Sequence, residues 1–223
     1  MKKLTFSLAL AAVFAAGTAQ AIIIDDFNDG QQTIEANGSE SIYAGAIGGS
    51  RSVSISKDGL LGATAHVLPS PWGIFSHSAD AQTSAISIIT WDANGLGLGG
   101  VDFVEGLTNN VFSFDILDID QGAINLTLEV RDTLGGTNSY NIFNAAVGTE
   151  SVAFSHFAGV DFTTIDFLSL TVAGGQGSDL TLDTLATSGS PASVPEPTAL
   201  MLLGGGLLGL GGIRRKNKKT ANS

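Results

Sequence analysis

Apolar and polar side chains alternate along most of the chain between residues 22 and 186, in short stretches separated by Gly, Asn, Asp and Ser. The alternation is clearest in the segment 124–131, where the even-numbered residues are apolar and the odd-numbered ones are polar. A period of two residues is typical of a β-strand with one buried and one solvated face. No 11-residue window has a convincing helical period. The pattern therefore predicts an all-β domain.

The predicted strands are numerous enough for two packed sheets. Thr164–Val172 is apolar on both faces, as in a central strand, whereas the alternation of Val152, Phe154 and His156 predicts that His156 is a satisfied or half-buried core residue. We predict a jelly-roll-like β-sandwich of ten to twelve strands. A short β-solenoid is the alternative, but the chain has no repeat of fixed period. The predicted strands are Ile22–Phe27, Ser41–Ile47, Ser52–Lys57, Ala63–Leu68, Ser84–Trp91, one from Val111, Ile124–Arg131, Ser139–Phe143, Ser151–Phe157, Thr164–Val172 and Leu180–Thr184.

The N-terminus has the three parts of a secretory signal peptide. Met1-Lys2-Lys3 is positively charged, Leu4–Gly17 is apolar, and Ala19-Gln20-Ala21 has the small-x-small pattern of a cleavage site. We predict a helical signal peptide at residues 1–21 and a mature chain that begins at Ile22. The short apolar stretch disfavours the alternative, a retained N-terminal anchor.

The C-terminus also has three ordered parts. The motif Val194, Pro195, Glu196 and Pro197 precedes an apolar, glycine-rich run, Thr198–Ile213. As a helix, this run would be about 24 Å long, slightly less than the hydrocarbon core of about 30 Å. It therefore predicts a short transmembrane segment at 198–213. A basic tail at 214–219 would stop transfer and stay cytoplasmic. Its basic residues are Arg214, Arg215, Lys216, Lys218 and Lys219.

This order of motif, apolar run and basic tail resembles the PEP-CTERM sorting signal of Gram-negative bacteria. The resemblance implies cleavage by a membrane transpeptidase of the exosortase type and export tied to extracellular polysaccharide. The protein would cross the inner membrane, be anchored transiently by its C-terminus, and reach the cell surface or the medium. An ordinary C-terminal anchor with a proline-rich stalk is the alternative. The predicted division is a signal peptide (1–21), a sandwich domain (22–186), a linker (187–193) and a sorting signal (194–223).

Removing the targeting segments changes the charge of the chain. The whole chain has a net charge of −11, but residues 22–193 contain 20 acidic residues and only Arg51, Lys57 and Arg131 as bases, which gives −17. Such a surface repels nucleic acid and anionic lipid, so we exclude a nucleic-acid partner. The absence of cysteine excludes thiol nucleophiles and zinc–thiolate sites.

Acidic residues at both ends of the domain predict a structural calcium site. Ile24-Asp25-Asp26-Phe27 and Leu182-Asp183-Thr184-Leu185 resemble the first and last strands of galactose-binding-like jelly-roll modules. The resemblance implies that these strands are adjacent and that their acids hold calcium, which prefers oxygen ligands. The predicted ligands are Asp25, Asp26, Asp29 and Asp183. The alternative is that these aspartates only form turns.

Two further features concern glycans. Trp72, in the proline-rich loop at 69–73, is a candidate platform for a sugar ring, although a tryptophan in a sandwich usually belongs to the core. Asp118 and Asp120 share a strand face at a spacing of about 6–7 Å, which suits an inverting glycosidase pair. Nothing in the sequence distinguishes an acid from a base, and no nucleophile elbow is present. We therefore predict no catalytic residues.

These observations predict an exported, non-enzymatic surface or matrix protein that binds exopolysaccharide. A secreted glycan-active enzyme that uses Asp118 and Asp120 is one alternative. A structural coat or filament subunit, held together by edge strands, is the other.

Overall fold

Thirteen strands make up the part of the chain that the computed structural model describes, residues 21–35, 37–105 and 109–189. Most of them follow the alternating pattern, with buried apolar residues at every second position. The strands are β1 (Ile23–Asp25), β2 (Gln32–Glu35), β3 (Gly38–Tyr43), β4 (Ser50–Asp58), β5 (Ala63–Leu68), β6 (Ile74–Ala79), β7 (Ser84–Trp91), β8 (Val111–Asp120), β9 (Ile124–Asp132), β10 (Thr137–Ile142), β11 (Gly148–Ala153), β12 (Ile165–Gly174) and β13 (Asp179–Ser188).

The strands form two antiparallel sheets that pack as a sandwich. The seven-stranded sheet has the order β11-β8-β13-β6-β5-β2, with β1 also paired to β13. The six-stranded sheet has the order β10-β9-β12-β7-β4-β3. The all-β sandwich predicted from the sequence is therefore confirmed. The signal peptide and the C-terminal helix lie outside the described residues, apart from Ala21.

The core lies between the two sheets and contains the large aromatic side chains. Phe27, Phe75, Phe112 and Phe114 are buried on the seven-stranded side, and Trp91 is buried on the six-stranded side. Strand β12 pairs with both β9 and β7, which confirms that it is central. The expectation of two apolar faces is wrong, because Ser169 and Thr171 lie on the outer side of β12, while Leu168, Leu170 and Val172 point into the core.

Three predictions of local structure need correction. Strands β2 and β6 were not predicted from the sequence. In β6, the polar residues Ser76, His77 and Ser78 leave few apolar residues to form an alternating pattern. The predicted strand Ser151–Phe157 ends at Ala153 and continues as a short 3-10 turn. The turn takes His156 out of the sheet, so that its ring is exposed and stacks on Tyr140 with the centroids 4.4 Å apart. The prediction of a half-buried His156 is wrong.

The first and last strands of the domain are neighbours. Strand β1 runs antiparallel to β13, with Ile23 opposite Ala186, and the Thr187 amide donates to the Ile22 carbonyl. Both ends of the domain therefore lie at the same place on the seven-stranded sheet. Within the described ranges, no helix is long and apolar enough to cross a membrane. The predicted segment 198–213 lies outside those ranges.

Candidate functional site

The outer face of the six-stranded sheet carries two rows that cross every strand and consist of small polar side chains apart from Ile88 and Glu129. The Thr171 row consists of Ser39, Ser54, Ile88, Thr171, Thr127 and Asn141, each opposite the next across the register. The Ser169 row consists of Ser41, Ser52, Thr90, Ser169, Glu129 and Ser139. We call the surface that these two rows cover the polar face.

The polar face follows directly from strand periodicity. In β4, for example, Val53 and Ile55 point into the core, so Ser52 and Ser54 point outward. Thr127 Oγ1 donates to Asn141 Oδ1 over 2.6 Å. The other hydroxyls of the two rows have no side-chain hydrogen bond to any described residue. Those that are accessible to solvent are therefore free to exchange hydrogen bonds with a polar ligand, whereas Ser169 is buried. The sequence signal was present in strands such as Ser50–Asp58, where serine repeats at every second position.

A groove of about 470 Å³ lies at one end of the polar face, across β4, β7, β12 and β9. Its polar lining includes Ser56, Ser84 and Asn125. Ile86 lines it too, and Ile86 and Ile88 are 43% and 37% exposed on the same strand. The register places Ala173 directly opposite Ile86. The face therefore combines hydroxyl and amide groups with an exposed aliphatic strip.

The two solvent-accessible cations among the described residues lie at opposite ends of this sheet. Lys57 lines the groove, and its Nζ donates to the Leu61 carbonyl over 2.5 Å. The Arg131 guanidinium lies 4.7 Å from the centre of the Phe167 ring, and its Nη2 is 3.9 Å from Asp166. Neither cation belongs to the two polar rows, although Arg131 follows Glu129 on the same side of β9.

The third cation, Arg51, is fully buried and satisfied by protein groups. Its Nη1 donates to both oxygens of Asp25 at 2.8 and 2.9 Å, and its Nε donates to Gln32 Oε1 over 2.8 Å. Its Nη2 donates to the carbonyls of Asp29 and Gly30. All five guanidinium N–H groups thus have an acceptor.

Asp25 is equally saturated, which bears on the predicted calcium site. Besides Arg51, its carboxylate accepts from the Trp91 indole N–H over 2.8 Å and from the Phe27 amide over 2.9 Å. A cation of the protein already occupies the position where a metal would bind to Asp25. Calcium needs six to eight oxygen ligands, and this carboxylate has no oxygen free to supply one. The residues around Asp25 therefore do not fit calcium.

The other predicted ligands are engaged in local contacts. Asp26 accepts from the Asn28 amide, and the hydrogen bonds from Asn28 lower the pKa of its carboxyl group. Asp29 accepts the Gly45 amide at 2.7 Å on each oxygen, and Asp183 accepts from Thr184. Within the described ranges, no three His, Asp or Glu side chains are grouped to hold a metal ion. Calcium binding stays a prediction, without support from the geometry of these four residues.

Trp72 lies far from the groove. It is 70% exposed in the turn between β5 and β6, where its amide donates to the Pro69 carbonyl. The groove is near the other end of β6, where the Ala79 amide binds the Ser178 carbonyl. The exposure of Trp72 contrasts with the burial of Trp91, the other tryptophan. The role of Trp72 as a platform for sugar stays a prediction, separate from the polar face.

Asp118 and Asp120 lie on the other sheet. Both are exposed on β8, opposite Thr181 and Asp179 of β13. Asp120 is thus directly across from another carboxylate rather than in the groove. The structure does not bring this pair together with the polar face.

A buried histidine beneath the groove was missed by sequence reasoning. His77 is fully buried, and its Nδ1 is 2.7 Å from Ser87 Oγ. Its Nε2 has no protein partner among the described residues. A Cβ added to Gly174, which lines the groove, would lie 2.7 Å from that Nε2. Burial lowers the pKa of His77 from its ordinary value of 6.5 to about 4, although the charge of Asp179 opposes this change.

Comparison with known proteins identifies the C-terminal segment. Residues 193–216 match the PEP-CTERM protein-sorting motif. The chain therefore carries the C-terminal sorting signal of an exported protein, as the sequence predicted. All four residues of the Val194–Pro197 motif fall within this match and outside the described residues. A comparison with curated protein sequences found no match.

Several solved structures resemble the domain. The family 11 carbohydrate-binding module of the cellulosomal cellulase Lic26A-Cel5E of Clostridium thermocellum is 14% identical, covers 78% of this chain and 96% of its own, and has a TM-score of 0.41. TmCBM61 in complex with β-1,4-galactotriose is 10% identical, with coverages of 73% and 90% and a TM-score of 0.36. An exo-β-agarase is 12% identical, with coverages of 78% and 26% and a TM-score of 0.43. These likenesses are too distant to transfer a function.

Proposed function

We propose that this exported protein binds a glycan on the polar face of its six-stranded sheet, without acting on it chemically. The observation that carries the proposal is the pair of hydroxyl and amide rows beside the exposed Ile86 and Ile88. A sugar ring presents hydroxyl groups at its edge and C–H groups on its faces. Serine and threonine hydroxyls both donate and accept hydrogen bonds, and the aliphatic strip suits the C–H faces.

The PEP-CTERM motif supports a proposal for where the protein goes and which partners it meets. We infer that an exosortase-type membrane transpeptidase processes residues 194–223, and that the protein is anchored in the membrane only until then. The glycan would be the exopolysaccharide of the producing cell, at the cell surface or in the surrounding matrix. A glycan-binding domain at the cell surface would attach the exported protein to the polysaccharide matrix.

Binding without catalysis is favoured by the arrangement of the carboxylates. Asp118 and Asp120, the candidate glycosidase pair, lie on the seven-stranded sheet, and the polar face is on the other sheet. Of the residues in the two polar rows, only Glu129 is acidic. A hydrolase that needs a pair of carboxylates across the bond to be broken is therefore not supported at this face.

The test is retention of the processed protein, recovered from cells, on the exopolysaccharide of the same cells. The double variant Ser54→Ala/Thr171→Val removes two hydroxyls of the polar face. Each hydrogen bond is worth about 1 kcal/mol, so we expect affinity to fall about tenfold or more. The matched control is Ser76→Ala/Thr181→Val, since these residues are opposite each other on the seven-stranded sheet. Retention that both double variants weaken equally, or no retention of the unaltered protein, would refute the proposal.

A further inference from the structure

We propose that the ligand of the polar face is an uncharged glycan, held by hydroxyl groups and by an aliphatic rather than an aromatic platform. This inference rests on the proposed glycan-binding function and adds the chemical class of the ligand. Two independent features of the face carry it, its charge and its apolar strip.

The first feature is that the two polar rows are nearly neutral in a strongly acidic domain, although Asp58 and Lys57 line the adjoining groove. Of the 20 acidic residues in 22–193, only Glu129 lies in the two polar rows, and neither row contains a basic residue. Recognition of carboxylate or sulfate groups relies on arginine or lysine, which form charge-assisted hydrogen bonds with them. The two rows offer none. They present the groups that bind sugar hydroxyls.

The cations nearest to the face are already committed to protein groups. Arg131 stacks on Phe167 and faces Asp166, and Lys57 donates to the Leu61 carbonyl at the far end of the sheet. Arg51 is buried with every donor used. Arg131 is the most accessible of the three, with its side chain 47% exposed, but it lies outside the two rows.

The charge of the whole domain acts in the same direction. A net charge of −17 over residues 22–193 creates a negative potential that repels a polyanion before contact. A ligand without charge experiences no such repulsion. The binding of an uncharged chain should therefore depend little on salt, because no ion pair is screened.

The second feature is the aliphatic strip. Ile86 and Ile88 follow each other on the outer side of β7, with Ala173 and Thr171 directly opposite on β12. Both isoleucines are exposed although they lie at the centre of the sheet. Serines of β4 flank them on the other side. The C–H face of a sugar ring would lie on the isoleucines while its hydroxyls reach the side chains of β4 and β12.

The experiment compares binding of the processed protein to three soluble polysaccharides, one uncharged, one bearing uronate groups and one bearing amino groups. We expect the uncharged polymer to bind, with an affinity that changes less than about twofold between low salt and about 1 M salt. The uronate polymer should not bind at low salt. Ile88→Asp should abolish binding. Leu117→Asp, at a residue that is 49% exposed on the other sheet, should leave binding unchanged.

The outcomes separate the two proposals. Tighter binding of the uronate or the amino polymer, or a steep loss of affinity with salt, would overturn the assignment to uncharged glycans while leaving glycan binding intact. Unchanged binding by Ile88→Asp would overturn the aliphatic platform. Failure of all three polymers and of the exopolysaccharide to bind would overturn glycan binding itself. Melting curves of both aspartate variants establish that each is folded.

Discussion

At the scale of single residues, the domain depends on a buried ion pair that the sequence does not reveal. Asp25, Arg51 and Trp91 come from β1, β4 and β7, so their contacts join both sheets at one point. Positions 25 and 91 are 66 residues apart, and no local pattern links them. The sequence singled out Asp25 as an important carboxylate but assigned it to calcium. A guanidinium is instead the partner of this carboxylate.

The first prediction concerns this ion pair. Arg51→Met removes the guanidinium and leaves Asp25 buried without its counter-charge. Breaking a buried pair from one side costs about 3–5 kcal/mol, so we expect the free energy of unfolding to fall by that order. Asp25→Asn/Arg51→Met removes both charges and should cost less than the two single changes summed. Urea unfolding measures the double variant and the two single variants, Arg51→Met and Asp25→Asn.

An Arg51→Met variant with the stability of the unaltered protein would contradict this account. The same unfolding measurement in excess chelator examines the calcium prediction. A ligand that binds only the folded state stabilises it by mass action, so a lower midpoint in chelator would support a calcium site. An unchanged midpoint would agree with the saturated contacts of Asp25.

His77 provides a prediction about pH. Its pKa is about 4 in the folded protein, below the ordinary value of 6.5, because burial disfavours the charged imidazole. The unfolded state therefore binds the proton more tightly between these two values. The contribution of neutral His77 is complete above about pH 6.5 and is lost as the pH falls towards 4. A tenfold difference in proton affinity corresponds to about 1.4 kcal/mol, so the titration of His77 should lower the free energy of unfolding by on the order of 3 kcal/mol as the pH falls from 6.5 to below 4.

The measurement is the free energy of unfolding at a series of pH values for the unaltered protein and for His77→Gln. Glutamine keeps polar character but does not titrate, so its curve should be flatter between pH 4 and 6.5. Carboxylates such as Asp132 and Asp161, whose pKa values are lowered by hydrogen bonds from backbone and threonine groups, contribute at lower pH in both proteins. Parallel curves for the two proteins would show that His77 does not carry this dependence.

At the scale of the elements, the strands that alternate cleanly or are apolar throughout were predictable. Strand β9 was predicted from one face of apolar residues, and β12 from a run interpreted as apolar on both faces, although its outer side carries Ser169 and Thr171. Strand β6 was not, because His77 and two serines occupy a segment whose stability comes from pairing with β5 and β13. The alternation of apolar and polar residues reveals a strand only when its buried face is apolar. A strand that buries polar groups, such as β6 with His77, is therefore hard to recognise from the sequence.

The candidate site divides in the same way. Ser52 and Ser54 of β4 and Thr171 of β12 can be assigned to outer faces from the sequence, because their neighbours are apolar. That they form continuous rows depends on β4 and β12 both pairing with β7, between residues far apart in the chain. The sequence could therefore predict the chemistry of the polar face but not its extent. The adjacency of β1 and β13, implied by the resemblance of the two acidic tetrads, is confirmed.

At the scale of the whole molecule, both ends of the domain leave the same part of the sandwich. Ile22 pairs with Thr187, six residues before Ser193, the first residue of the PEP-CTERM match. Strand β13 lies between β8 and β6 and also binds β1. Without it, the seven-stranded sheet would be divided. The sheet can therefore be completed only when nearly all of the chain before the sorting signal is available to fold.

The last prediction concerns processing of the two termini. If residues 1–21 are a signal peptide and the C-terminal signal is cleaved, the intact mass of the protein from cells should lack both Met1–Ala21 and the segment after Pro197. Replacing Pro195 by alanine disrupts the motif within the matched residues 193–216 and should leave the C-terminal segment attached. Pro191→Ala, just outside the match, is the control and should be processed normally. A mass that retains residues 198–223 in the unaltered protein, or equal cleavage of the Pro195→Ala variant, would refute this account of sorting.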